Sequence, residues 1–200
     1  MAREVVRTRR DEVDELAQGP GYVVLRGLVP DVLVEAALRR LNLEILRCGL
    51  SAEQIEQWKH STFWPSLRWE DEIVALRGPL EDITPAEPDE RWGDPQLLLR
   101  FPDESKGWPL RPHVDDLPDW AGTRSYRMIY GVALSRSHAV DGCLTVWSGS
   151  HRGEAGDRHL VELDAGDVVV LHPEVGHSST LNGGGTIRYA VYFRLLGPPA

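Results

Sequence analysis

Seven histidines stand at positions 60, 113, 138, 151, 159, 172 and 177. Imidazole is the commonest metal ligand, so the first question is which of them could share an ion with another donor. His113-Val-Asp115 is the best start. On a strand, residues i and i+2 point to the same face, so an imidazole and a carboxylate would project side by side. A third donor must come from elsewhere in the fold. His177, in Pro173-Glu-Val-Gly-His177-Ser, follows the β-rich run Val168–Leu171. A histidine at the end of a core strand points into the mouth of a barrel. Asp116 competes with Asp115, but an i+3 position on a strand faces away from His113. His172 stays open as the alternative to His177. His151 lies in the tight turn Ser148-Gly-Ser-His151-Arg and reads as structural, and His60, His138 and His159 read as surface or loop residues.

Two imidazoles and one carboxylate on one face suit Fe(II) and leave three coordination positions open. A bidentate 2-oxo acid can fill two of them and O2 the third. The far carboxylate of such an acid needs a holder, and a guanidinium matches it with two parallel hydrogen bonds. Arg188 opens the strand-like run after His177. A hairpin of Val168–Leu171 with Arg188–Phe193, turned at Asn182-Gly-Gly-Gly185, would bring Arg188 back beside His177. Zinc could use the same three ligands. Structural zinc would want a fourth from the protein, and neither Cys48 nor Cys143 is spaced to supply it.

These residues need a rigid frame. Residues 1–60 read as mostly helical: a short polar helix at Arg9–Ala17, stopped by Gly19-Pro20-Gly21, then a β-run Tyr22–Arg26. A longer helix starts at Pro30-Asp31, with an apolar stripe from Val32 to Leu46 and a stop at Gly49. Ser51 with Gln54 makes a capping box for a further short helix. Residues 61–95 read as irregular, with one short helix near Glu70–Leu76 and a loop from Glu81 to Asp94 that carries Pro85 and Pro88. From Gln96 the pattern turns to strands: Gln96–Phe101, Tyr126–Leu134, Gly142–Trp147, Arg158–Leu163, Asp167–His172 and Arg188–Leu195. Short strands with Gly, Pro, Asp and Ser punctuation indicate a sandwich or barrel. Helices first and strands afterwards indicate an α+β fold, mainly β, with the helices on one sheet.

Length and composition exclude much else. With 200 residues, 42% hydrophobic and 26% charged, the expectation is one domain, residues 1–200, with a real core. Its parts are a helical buttress (1–60), a substrate-side segment (61–95) and a β core (96–196). No apolar run approaches the ~20 residues a membrane span needs, and Met1–Arg10 has no apolar h-region. A net charge of −9 argues against nucleic acid and anionic lipid as partners. Two cysteines make no disulfide framework, and both read as buried thiols in a cytoplasmic protein. Seven tryptophans against three phenylalanines are a surplus of a kind that also serves ligand pockets.

Three stretches carry a family pattern. They are His113-Val-Asp115, then Asp141-Gly-Cys-Leu-Thr-Val-Trp-Ser-Gly-Ser-His151-Arg, then Ala165-Gly-Asp-Val-Val-Val-Leu-His172-Pro-Glu-Val-Gly-His177-Ser-Ser, running on through Asn182 to Arg188. In this order they resemble the phytanoyl-CoA dioxygenase-like branch of the Fe(II)/2-oxoglutarate-dependent oxygenases, over roughly residues 96–195. Ser148 stands where the family usually has proline. The resemblance implies a double-stranded β-helix (jelly-roll, cupin-like) core with N-terminal helices against one sheet. It implies Fe(II) on His113, Asp115 and His177, with 2-oxoglutarate as co-substrate and O2 as oxidant. Arg188 would take the distal carboxylate, with Ser179 as helper. Halogenases of the family replace the metal-binding Asp, so Asp115 implies oxygenation.

The implied reaction releases succinate and CO2 and hydroxylates an unactivated C–H, with desaturation or cyclisation as other outcomes. The substrate expected is a small metabolite, an amino acid or natural-product intermediate, bound by a monomer or homodimer. Segments at the barrel mouth would line its pocket with Trp64, Trp69, Trp108, Arg111, Trp120 and Tyr126. Arg100 and Arg111, ahead of the His-x-Asp segment, could each hold an anionic group. The rival class is a cupin-type metal protein of non-oxygenase chemistry, which would need no Arg188.

Overall fold

The computed structural model describes residues 8–58, 67–84, 87, 90–103, 112–115, 126–154 and 156–198. The helices are α1 (Arg9–Asp14), α2 (Asp31–Cys48), α3 (Ala52–Trp58), α4 (Asp71–Val74) and α5 (Gly78–Ile83). The strands are β1 (Tyr22–Leu25), β2 (Arg91–Trp92), β3 (Gln96–Arg100), β4 (Tyr126–Ala133), β5 (Leu144–Trp147), β6 (Arg158–Val161), β7 (Val168–Leu171), β8 (His177–Ser179) and β9 (Arg188–Leu196). Local chemistry sets several ends as expected. Ser51 and Gln54 bond reciprocally ahead of α3, and Gly49 closes α2 at φ +67°. A second capping box, Thr8 with Asp11, starts α1.

Two antiparallel sheets form the core. The larger has the order β1-β7-β4-β9-β2, with β3 also paired to β9; the smaller has the order β6-β5-β8. Strand alternation sorts the layers. On β4, β7 and β9, Tyr130, Val132, Val168, Val170, Val191 and Phe193 face outward, buried against Leu41, Ile73, Leu76 and Leu80 of the helical layer. Ile129, Ala133, Val169 and Leu171 face inward, onto Leu144, Val146 and Val161 of the smaller sheet. The result is an α+β jelly-roll core with helices on one sheet. Among the described residues, no helix is long and apolar enough to cross a membrane.

Three expectations are corrected. Val168–Leu171 does not form a hairpin with Arg188–Phe193. β7 lies between β1 and β4, and β9 between β4 and the β2/β3 edge. Between β7 and β9 the chain crosses to the smaller sheet as β8 and pairs with β5, so Asn182–Gly185 is a crossing between sheets rather than a hairpin turn. The stretch from Glu81 is not all loop. Helix runs on to Ile83, with Pro79 in the first turn of α5, where a missing N–H costs nothing. Arg91–Trp92 adds a strand paired to β9, with the Trp92 ring tilted against Tyr130, 5.0 Å between centroids. The third correction is β8, three residues long and too short to show a period. Of the two cysteines, Cys143 is a free buried thiol; the Cys48 side chain lies outside the described residues.

Candidate metal and co-substrate site

His113 and His177 meet through their backbones. The N–H of His113 donates to the His177 carbonyl at 3.0 Å, and the N–H of His177 donates back at 2.9 Å. His113 thus adds one bridged residue beside β8, and directly opposed residues carry their side chains on the same face. The two imidazole centroids lie 4.4 Å apart. Asp115, two residues on, is anchored by its N–H to the Pro173 carbonyl at 3.0 Å. Its Oδ1 is 3.9 Å from His113 Nε2 and 4.0 Å from His177 Nε2. One ligand atom from each of the three lies within 4.8 Å of the others.

The protonation of His177 suits a ligand. Its Nδ1–H donates to the Val175 carbonyl at 2.9 Å, since a carbonyl can only accept. Nε2 therefore carries the lone pair and faces the other two donors. Burial pushes the His177 pKa below its ordinary value, against opposing pulls from the Val175 carbonyl and Asp115, which keeps the ring neutral. His113 is exposed and Asp115 partly so, which opens the site on their side.

A cavity of about 170 Å³ runs from this triad between the sheets. Leu98, Tyr192 and Leu144 form apolar walls, and Ser179 lies among the lining residues. Arg188 also lines it, only 3% exposed. One Arg188 Nη donates to the Gly142 carbonyl, while its Nε is buried with no hydrogen-bond partner. No carboxylate pairs with Arg188 among the described residues. Arg100 sits opposite it in the β3–β9 register, and burial, with Arg188 beside it, lowers the Arg100 pKa to about 10. Gly142 supports this end at φ +83°; a Cβ there would press on the Arg100 side chain at 3.0 Å. Three guanidiniums and one carboxylate line the cavity among the described residues. Its chemistry favours an anion, although the chain as a whole carries −9.

Three solved structures share this arrangement of elements. The fold is that of 2-oxoglutarate-dependent non-haem iron enzymes. SnoN, an epimerase from nogalamycin biosynthesis in complex with Fe3+, alpha ketoglutarate and nogalamycin RO, superposes with a TM-score of 0.61 at 21% identity, over 92% of this chain and 83% of its own. SnoK, an alpha ketoglutarate-dependent carbocyclase from the same biosynthesis, gives 0.68 at 18%, over 95% and 84%. EvdO2 from Micromonospora carbonacea var. aurantiaca, complexed with 2-oxoglutarate, gives 0.69 at 18%, over 100% and 95%. No family model and no curated protein matches the sequence.

Sequence and structure can be compared residue by residue. The structure brings His113, Asp115, His177, Ser179 and Arg188 to one cavity. His172 is turned elsewhere: its Nδ1 accepts from the Glu174 N–H, and its ring lies 4.9 Å from that of His151. His151 bonds the Ala17 carbonyl, in keeping with a structural role. Trp69 is 57% exposed, with Arg68 over its ring. The Tyr126 ring lies against the Arg194 guanidinium, 5.3 Å away. Trp64, Trp108, Arg111, Asp116 and Trp120 fall outside the described residues.

Sequence reasoning missed Arg194, Gln96 and the buried role of Asn182. The Asn182 amide donates to the carbonyls of Arg100 and Thr186. Arg194 could have been found, because the two-residue period that places Arg188 inward places Arg194 on the same face.

Proposed function

We propose that the protein is a non-haem Fe(II)/2-oxoglutarate-dependent dioxygenase of the phytanoyl-CoA dioxygenase-like branch, hydroxylating an unactivated C–H of a small metabolite. One observation carries the reading. A two-imidazole, one-carboxylate donor set opens on a cavity that also holds Arg188, a buried cation with an unsatisfied Nε. The donor set fits Fe(II), and the guanidinium fits the far carboxylate of a 2-oxo diacid. A cupin of non-oxygenase chemistry would have no use for that buried charge.

His113, Asp115 and His177 would hold the iron. Bound there with 2-oxoglutarate, it supplies the oxidant for C–H abstraction while the 2-oxo acid is converted to succinate and CO2. The protein's own part is placement and exclusion of water. Arg188 and Ser179 anchor the co-substrate tail and so fix which end of it reaches the triad. Leu98, Leu144 and Tyr192 keep water from the span between. The Val175 carbonyl holds the His177 proton on Nδ1, away from the ligand lone pair. The exposed side, by His113, is where the substrate C–H would approach, with Trp64, Trp69, Trp108, Arg111, Trp120 and Tyr126 as its proposed surroundings. Asp115 fills the position that halogenases leave vacant for halide. The structural neighbours include an epimerase and a carbocyclase, so cyclisation or desaturation stands beside hydroxylation as an outcome of the proposed hydrogen abstraction.

Succinate formation from 2-oxoglutarate under O2 with added Fe(II) tests the reading. The wild type is expected to turn over slowly even without substrate, and Asp115→Ala to abolish both turnover and tight iron binding. Absence of wild-type succinate, together with iron affinity unchanged in Asp115→Ala, overturns it.

A further inference from the structure

Arg194 faces the same cavity and has no part in the reaction just described. It shares a face of β9 with Arg188, but six residues of strand, about 20 Å, separate their Cα atoms. It therefore serves the triad end rather than the co-substrate tail. Its Nη2 donates to Asp115 Oδ2 at 3.2 Å and to Gln96 Oε1 at 2.6 Å. The Tyr126 ring covers its guanidinium at 5.3 Å. Two neighbours from two strands thus hold one side chain against one oxygen of Asp115. The other oxygen, Oδ1, is the one that approaches both imidazoles.

The two oxygens of Asp115 therefore have different tasks. A carboxylate can bind a metal through one oxygen or through both. Chelation through both would use a position that a three-ligand face otherwise leaves open, and a 2-oxo acid with O2 needs all three. We propose that Arg194 is a positioning residue that holds Asp115 Oδ2 away from the metal and restricts the carboxylate to one bond. The proposal rests on the metal reading above and adds to it the reason the third open position survives. Gln96 and Tyr126 act through Arg194, keeping its Nη2 on Oδ2.

Mn(II) is the probe, because the relaxation of water protons counts the exchanging waters on the bound ion without any turnover. Wild type, Asp115→Ala, Arg194→Met and Arg194→Lys are compared at saturating protein, with thermal melts alongside. Wild-type Mn(II) is expected to keep three exchanging waters, and one after 2-oxoglutarate is added. In Arg194→Met the carboxylate closes on the ion: relaxivity falls by about a third, and 2-oxoglutarate removes the last water. Arg194→Lys keeps a cation and a donor at Oδ2 and retains the wild-type values. If wild type and Asp115→Ala bind Mn(II) alike, the metal reading itself fails. If only Asp115→Ala loses the ion while Arg194→Met matches wild-type relaxivity with and without 2-oxoglutarate, the metal reading stands and the role of Arg194 is overturned. A lower melting temperature in Arg194→Met with unchanged relaxivity overturns it equally, since it marks a purely structural contact.

Discussion

Arg188 carries a charge that burial penalises, and within the described residues it has no counterion. Such a group persists when something outside the chain completes it. Charge-assisted hydrogen bonds are worth about 1.5–3 kcal/mol, so Arg188→Ala should raise the 2-oxoglutarate concentration needed for half-maximal succinate formation by about 10- to 100-fold. An unchanged requirement would remove Arg188 from the co-substrate site. At this scale the sequence was informative where chemistry and strand period coincide. His113 and Asp115 are two apart, His177 and Ser179 are two apart, and Arg188 shares their cavity. The same period puts Arg194 on the face of Arg188, but the sequence was silent on what Arg194 touches, since its partner Gln96 is an ordinary polar residue on β3. No local pattern says that Gln96 and Arg194 meet; β3–β9 pairing decides it.

The elements were legible where alternation was strong. β4, β7 and β9 were expected from their β-branched and aromatic residues, and β3 from its leucine run ahead of Phe101, with turn signals between them. Their partners were not. Nearness in sequence suggested a β7–β9 hairpin, yet β8 intervenes on the opposite sheet, since a jelly roll passes its strands alternately between two sheets. Pairing also creates contacts that no single strand reveals. Gly131 on β4 lies beneath the Tyr192 ring of β9, where an added Cβ would stand 2.8 Å from a ring carbon and 3.0 Å from a Val169 methyl. Gly131→Ala should therefore cost about 2 kcal/mol in urea unfolding. Most of that cost should vanish in a Tyr192→Leu background, because the two sites share the clash. Additive penalties would show that the ring is not what the glycine accommodates.

Across the whole molecule, the outer core joins helices to the larger sheet and the inner core joins the sheets to each other. Asp167 ties the N-terminal strand into this body. Its carboxylate accepts from Arg26 at 2.5 Å and from the N–H groups of Gly27 and Asp164 at 2.8 and 2.9 Å. Burial alone would raise its pKa, but those three donors outweigh burial and hold the carboxyl below the ordinary aspartate range. A depressed carboxylate stabilises the fold above its unfolded pKa of about 3.9 and loses that contribution as the pH falls through its folded value. Asp167→Asn should thus cost about 2 kcal/mol near pH 7, with the gap to wild type closing below about pH 4 in denaturant melts. A gap that is constant with pH would assign the loss to shape rather than charge.

The mutual backbone bonds of His113 and His177 have a thermodynamic consequence. The same two residues that would grip the ion also clasp one chain segment to the edge of the smaller sheet. An ion that binds only the clasped form stabilises the clasp by RT ln(1 + [ion]/Kd), and by reciprocity the clasp sets how tightly the ion is held. Loading the metal and closing this edge of the barrel then become a single equilibrium.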